Sequence, residues 1–415
     1  MITRSAFISF SIRSLARRFL GILLNWRIKN GNLRRMKAKF AFVFALFLGL
    51  QANAAWDLND VSYLMPLPAR FGDDNLMGIT TPGRGGPLLN PAYMGTIPPL
   101  TPVMSENDVA TSLRVIAVRI DPCFPLPTPQ SCQKQIRLVW QPLEPGFRNR
   151  VQTVDAALHS FYVLTDADFD SLTKDLMAWK TRNKVETKGL PLQVHPAWAV
   201  QADKSPALLE FNQIVRKYAG PANLTRITAM VVRGAGDMWS FQGFEVRNGQ
   251  LKLMKIPRVD RSAQAFVNFA VPSDHFERGL ISPEATGEDS FNKVIGNSAR
   301  MKVGNEDLLR KELRAIHRAE DPHSFNPENM DCASCHVAQP ARVWLERNRT
   351  DLNLESLWNT HAYKNPAYDL TNVSPDQKNT QIIRAFGYFL ENPAISQRVI
   401  NESAEVATTL NQILK

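Results

Sequence analysis

The stretch Trp239-Ser240-Phe241-Gln242-Gly243-Phe244-Glu245-Val246-Arg247-Asn248-Gly249-Gln250-Leu251-Lys252-Leu253-Met254-Lys255-Ile256 reads as two strands around a tight turn. Asn-Gly tolerates the positive φ angles of a type I′ turn, whose twist matches that of paired strands. An antiparallel hairpin over Trp239–Val246 and Leu251–Ile256 follows, and it sets the fold class of what surrounds it. Upstream, Leu224–Val232 is a further strand. Leu208–Tyr218 reads as a helix ended by Gly220-Pro221. Asp166–Trp179 is another helix, with Phe169, Leu172, Leu176 and Met177 recurring on one side. Ala156–Leu164 reads as a strand. It contains His159, and a lone histidine there reads as a structural residue. Leu113–Ile120 and Gln135–Trp140 mix β-branched and polar positions as strands do, and Ala265–Val271 adds one more. Residues 106–280 are therefore expected to form an α+β domain with a largely antiparallel sheet. Residues 55–105 are rich in Pro and Gly and read as an extended arm, anchored by Trp56, Tyr63, Met65 and Tyr93.

Cys123 and Cys132 flank a proline-rich segment between two of these strands. Their spacing suits a disulfide closing that loop, which an exported protein permits. Residues 36–54 supply an export signal. Met36-Lys37-Ala38-Lys39 is a basic start, Phe40–Leu50 an apolar run, and Gln51-Ala52-Asn53-Ala54 a small-residue cleavage site. The apolar run is short for a membrane span, so no stable span is expected after cleavage, and a periplasmic or secreted location is. Because this signal is complete from Met36, residues 1–35 read as a misassigned extension and Met36, not Met1, as the start.

The leader also accounts for the charge. The formal net charge of the chain is +10. Ten of its 49 Lys and Arg lie within residues 1–39, leaving 39 against 39 Asp and Glu. The mature chain is near neutral, so the basic balance does not point to nucleic acid. With 44% hydrophobic residues, the chain can build a sizeable core.

Past residue 280 the pattern becomes mainly helical, and residues 281–415 read as a separate C-terminal domain. Asn305 can cap a helix carrying Leu309, Leu313, Ile316 and, on the same face, His317. Asp321-Pro322 ends it, and a polar loop leads to Cys332-Ala333-Ser334-Cys335-His336. Pro340 suits the first turn of a new helix to about Arg347. Leu352, Leu354, Leu357 and Trp358, an apolar segment in Asn379–Leu390 and a helix over Ile395–Leu414 complete the chain.

Two cysteines three apart, followed at once by histidine, form a CxxCH motif. Each thiol can add to one vinyl group of a haem, and the adjacent histidine can then ligate the iron. In these five residues the chain resembles the c-type cytochromes. The resemblance implies one covalent haem c held by Cys332 and Cys335 with His336 on the iron, and electron transfer with a redox partner protein rather than catalysis. Other readings of the same residues are a redox dithiol, a zinc site and a Cys332–Cys335 disulfide in a non-haem structural protein. Zinc usually wants a second clustered ligand pair, and no second CxxC or HxxxH exists.

Many c-type cytochromes use a downstream methionine as sixth ligand, but no methionine follows Met330. His361 is the one histidine after His336 and becomes the leading candidate for iron ligation, ahead of His317 and His323, with Met301 as an upstream alternative. Arg342, Arg347 and Arg384 are candidates to pair with haem propionates. If the sixth position is open, a small-molecule sensor or a peroxidase-like enzyme becomes the alternative function.

Overall fold

The hairpin is built as its sequence demands. In the computed structural model, Asn248 and Gly249 have φ of 52° and 73°, and strands Met238–Arg247 and Gln250–Leu253 pair antiparallel around them. The model describes residues 56–414 apart from 102–105, 125–131, 199–200, 235, 271–274, 278, 280–282, 304, 376–381 and 384. The expected extension 1–35, the expected signal peptide 36–54 and Arg384 lie outside the described residues.

The strands in chain order are β1 (Ser62–Leu64), β2 (Pro82–Gly83), β3 (Gly86–Pro87), β4 (Leu113–Phe124), β5 (Gln133–Pro145), β6 (Val151–Thr153), β7 (Ala157–Leu164), β8 (Leu224–Arg233), β9 (Met238–Arg247), β10 (Gln250–Leu253), β11 (Ala263–Val267), β12 (Phe386–Phe389) and β13 (Asn392–Ile395). The helices are α1 (Leu58–Val61), α2 (Glu106–Ser112), α3 (Asp166–Arg182), α4 (Pro206–Tyr218), α5 (Asn292–Gly296), α6 (Glu306–Glu320), α7 (Cys332–Asn348), α8 (Leu354–His361) and α9 (Gln397–Ile413). The class is α+β. The main sheet runs β1-β4-β5-β7-β8-β9-β10, with β11 also on β9 and β6 also on β5. Every pairing between its strands is antiparallel.

Helices α3 and α4 pack on one face through Phe169, Leu172, Trp179 and Phe211, all buried. Thr165 caps α3 by accepting from the Asp168 N–H. The opposite face of the sheet meets the C-terminal helices. Glu402 of α9 reaches Arg119 of β4 at 2.8 Å. The β12–β13 hairpin also joins this core, because the Tyr388 carbonyl accepts from Gln141 Nε2 at 2.9 Å and Thr153 Oγ1 at 2.9 Å.

Three expectations change here. Residues 55–415 form one compact unit; the sheet lends one face to the helices, so the boundary expected near residue 280 falls inside a shared core. The extended arm enters the sheet: β1 pairs with β4 through Tyr63↔Val118, and Trp56, Tyr63, Met65 and Tyr93 are buried. Finally, Pro340 does not open a helix. It sits inside α7, which starts at Cys332, because Asp331 supplies the cap by accepting from the Ser334 N–H at 2.9 Å. An interior proline gives up the hydrogen bond its N–H would make to the carbonyl four residues back, here that of His336.

Candidate functional site

Side chains alternate faces along a strand, so every second residue of β5, β7, β8 and β9 points toward the C-terminal helices. Read across the sheet, these residues form three rungs. The first is Arg119↔Arg137↔Phe161↔Arg226. The second is Val139↔His159↔Thr228↔Gly243. The third is Ala157↔Met230↔Phe241. All three line one cavity of about 450 Å³. Its roof comes from α7 through Cys332, Cys335 and His336, and from α9 through Arg398, Val399 and Glu402. The volume lies within the range of roughly 300–1,000 Å³ usual for small-molecule and cofactor sites.

The start of α7 and the His336 ring are positioned from outside that helix. Gln264 of β11 clamps the start of α7: its amide donates to Asp331 Oδ2 at 2.8 Å, and its oxygen accepts from the Ala333 N–H at 3.0 Å. The His336 ring packs on Phe241, with centroids 5.1 Å apart. Its Nδ1 lies 2.7 Å from the Ile383 carbonyl oxygen. A carbonyl can only accept, so Nδ1 carries the proton and Nε2 of the neutral ring is the basic nitrogen. The Ile383 N–H donates in turn to buried Asp155 at 2.9 Å, and Trp239 Nε1 donates to the same oxygen at 3.0 Å.

Cys332 and Cys335 are free thiols, so the alternative Cys332–Cys335 disulfide is not formed. Burial pushes the Cys332 thiol up to about 12 and the Cys335 thiol up to about 11. Both stay as S–H at neutral pH, unlike the low-pKa thiolate of a redox dithiol. Among the described residues, no three His, Cys, Asp or Glu side chains gather as a metal-holding group. The cavity therefore offers two neutral thiols, one oriented imidazole and apolar walls.

The first rung makes one end of the cavity cationic. Arg119 and Arg398 share Glu402 at 2.8 and 2.7 Å. Arg137 pairs with Asp121 at 3.0 Å, and Arg226 with Glu328 at 3.2 Å. Burial disfavours the charged form of Glu402, yet Arg398, Arg119 and Arg137 hold its carboxyl well below the usual range. Burial and neighbouring Arg119 lower the pKa of Arg137 despite Asp121. Nε of both Arg119 and Arg137 is buried without a hydrogen-bond partner. Four guanidinium groups against three carboxylates suit a ligand that carries anionic groups.

Cys332, Cys335 and His336 thus share one cavity. His361 does not join them: it is exposed in the last turn of α8 and does not line the cavity. His317 is buried in α6 near the Glu320–Arg342 pair, and burial, Arg342 and His361 bring its pKa down to about 3. His323 is exposed, 3.1 Å from Glu405. Neither lines the cavity, nor does Met301. Arg342 is held by Glu320 and Glu346 at 2.9 and 2.7 Å, away from the cavity. Cys123 and Cys132 are joined as a disulfide. It closes the expected loop, and residues 125–131 within that loop lie outside the described ones.

The sheet-borne residues His159, Met230, Arg119, Arg137 and Arg226 are the ones that reading the sequence missed. The signal was weak but present: arginine or histidine at alternate positions of strands, on a face that an ordinary core would make apolar. No helix among the described residues is long and apolar enough to cross a membrane. No family model, curated protein or solved structure matches this chain.

Proposed function

We propose that this chain is an exported monohaem c-type protein whose role is electron transfer. The observation that carries the reading is that all three side chains of the CxxCH motif open into one cofactor-sized cavity with the imidazole already oriented. Histidines that bind metals commonly donate their second ring N–H to a carbonyl, as His336 does to Ile383.

In this reading Cys332 and Cys335 would hold the group by thioether bonds, and His336 would ligate its iron. Bound haem would supply one-electron chemistry, with iron cycling between Fe(II) and Fe(III). The protein's own residues do the rest. Phe241, Val139, Ala157 and Met230 wall off water. Arg119, Arg137, Arg226 and Arg398 would neutralise the propionates, whereas Arg342 is already held by Glu320 and Glu346 away from the cavity. The Cys123–Cys132 disulfide is compatible with export, and a redox protein is the partner such a carrier needs.

The test is a pyridine haemochrome spectrum on protein made in a host that matures c-type cytochromes. One covalent haem per chain is expected. C332S/C335S should abolish it, and H336A should keep little of it. A wild-type protein that folds in that host without covalent haem refutes the reading.

A further inference from the structure

The histidine that reading the sequence assigned to structure occupies the middle of the cavity floor. Strand β7 is the fourth of seven in the sheet order, and His159, its third residue, lies between Val139 and Thr228. A residue flanked by strands on both sides is normally covered by whatever packs on the sheet. His159 is instead half-buried, and it lines the cavity. Its ring is 6.4 Å from that of Phe161, two residues on. Phe161 lies under the guanidinium groups of Arg137 and Arg226, at 5.2 and 5.9 Å. His159 is thus on the cavity face, one rung in from the cationic end.

Resting on the haem reading above, we propose that His159 is the second axial ligand of that haem, so that the centre is bis-histidine. His336 descends from α7 and packs on Phe241. His159 lies two strands and two residues away from Phe241, roughly 12 Å between Cα atoms at ordinary strand spacing and rise. The two imidazoles therefore enter the cavity from different walls, one from the helix and one from the sheet. The groups beside His159 on its rung are small: Val139, Thr228 and Gly243. That leaves a flat macrocycle room to lie over the floor.

The cavity's methionines are placed less well. Met230 is directly opposite Phe241 on the neighbouring strand, which puts it beside His336 rather than across from it. Met330 precedes Asp331 at the start of the motif's own helix. Met254 lies against Gly243, with its sulfur 3.6 Å from where a Cβ would stand, at the far end of the second rung.

The test uses the full chain with its covalent haem, quantified by pyridine haemochrome in every variant. Near-infrared magnetic circular dichroism and EPR of the wild-type ferric protein should give a low-spin bis-imidazole signature, and this needs no substitution. H159A should keep covalent haem within twofold and become high-spin, and added imidazole should restore the low-spin form. A high-spin wild type, a histidine–methionine signature, or a low-spin H159A overturns the proposal while leaving the haem reading intact. Absence of covalent haem overturns both.

Discussion

His336 Nδ1 and the Ile383 carbonyl oxygen are 2.7 Å apart, although the two residues are 47 positions apart in the chain. This contact turns a motif of five residues into a site. It fixes which imidazole nitrogen keeps the proton, and it depends on how Ile383 itself is held. Ile383 donates to Asp155, which also accepts from Trp239 of β9. The orientation of the motif histidine is thus set by residues outside its own helix.

Asp155→Ala should therefore damage more than local packing. It deletes a buried acceptor for two donors, and each hydrogen bond to a charged group is worth about 1.5–3 kcal/mol. With two such bonds a loss of about 3–6 kcal/mol is expected in urea denaturation, with Asp155→Asn costing less because one oxygen remains. In the haem-loaded protein, Asp155→Ala should also shift the reduction potential upward, as a less well held imidazole is a weaker donor. An unchanged potential would place His336 outside the control of Asp155.

Glu402→Gln tests the cationic end. Glu402 bridges Arg119 and Arg398, and removing one partner of a buried ion pair costs about 3–5 kcal/mol. Its folded pKa is depressed, although burial opposes this, by Arg398, Arg119 and Arg137. Its contribution is therefore present above the ordinary carboxylate range and is lost as pH falls toward the folded value. Thermal unfolding should show the variant least stable relative to wild type at neutral pH, with the gap closing in acid. Phosphate should rescue part of the loss by occupying the unbalanced guanidinium groups.

Much of the fold was legible because its cues are local. Asn248-Gly249 specified its turn, and Phe169, Leu172 and Leu176 specified the buried side of α3. The cavity was not legible, because it exists only once β5, β7, β8 and β9 lie in register. His159, Met230 and Arg137 are far apart in sequence, and each looks ordinary alone. Sequence order ranked His361 ahead of His317, His323 and Met301 as the partner of His336, and the fold places His361 at the exposed end of α8. Pro340 misled for a different reason. Proline favours a first helical turn, but here tertiary packing and the Asp331 cap carry the helix through it.

Acid sensitivity should trace to a buried imidazole remote from the cavity. His195 is fully buried and packs between Tyr63 and Trp198, with centroids 5.0 and 4.4 Å away. Burial, with help from Lys180, brings its pKa down to about 3 from 6.5. The unfolded chain therefore binds a proton that the folded one refuses. Stability is full above about pH 6.5 and falls as pH drops toward 3, by about 5 kcal/mol at most. His195→Phe keeps the aromatic cluster and removes the titration. Its unfolding free energy should be lower at neutral pH by about 1 kcal/mol, for the lost contact with the Ala197 N–H. Its slope between pH 6.5 and 4 should be flatter but not flat, because His317 is likewise held to about 3 and depressed Glu402 also loses its contribution in acid. An unchanged slope would assign acid sensitivity elsewhere.

Gly243 separates the need for the motif from the need for the cavity. It stands on the second rung, facing the cavity, between Thr228 and Met254. A Cβ there meets Met254 at 3.6 Å and Thr228 Cγ2 at 3.8 Å, ordinary contact distances. Gly243→Ala should fold at least as well as wild type, gaining up to about 1 kcal/mol because alanine loses less backbone freedom. Gly243→Leu must send its branched end either into Met254 or into the cavity. The cavity is the open direction, so the fold should survive with stability within about 1–2 kcal/mol. Both variants keep Cys332, Cys335 and His336. If the motif alone recruited haem, pyridine haemochrome would report equal covalent haem in the two. If the sheet face is half of the site, Gly243→Leu should lose most of it while Gly243→Ala keeps it. Far-UV circular dichroism on the same samples confirms that the lost haem reflects a blocked floor and not an unfolded chain.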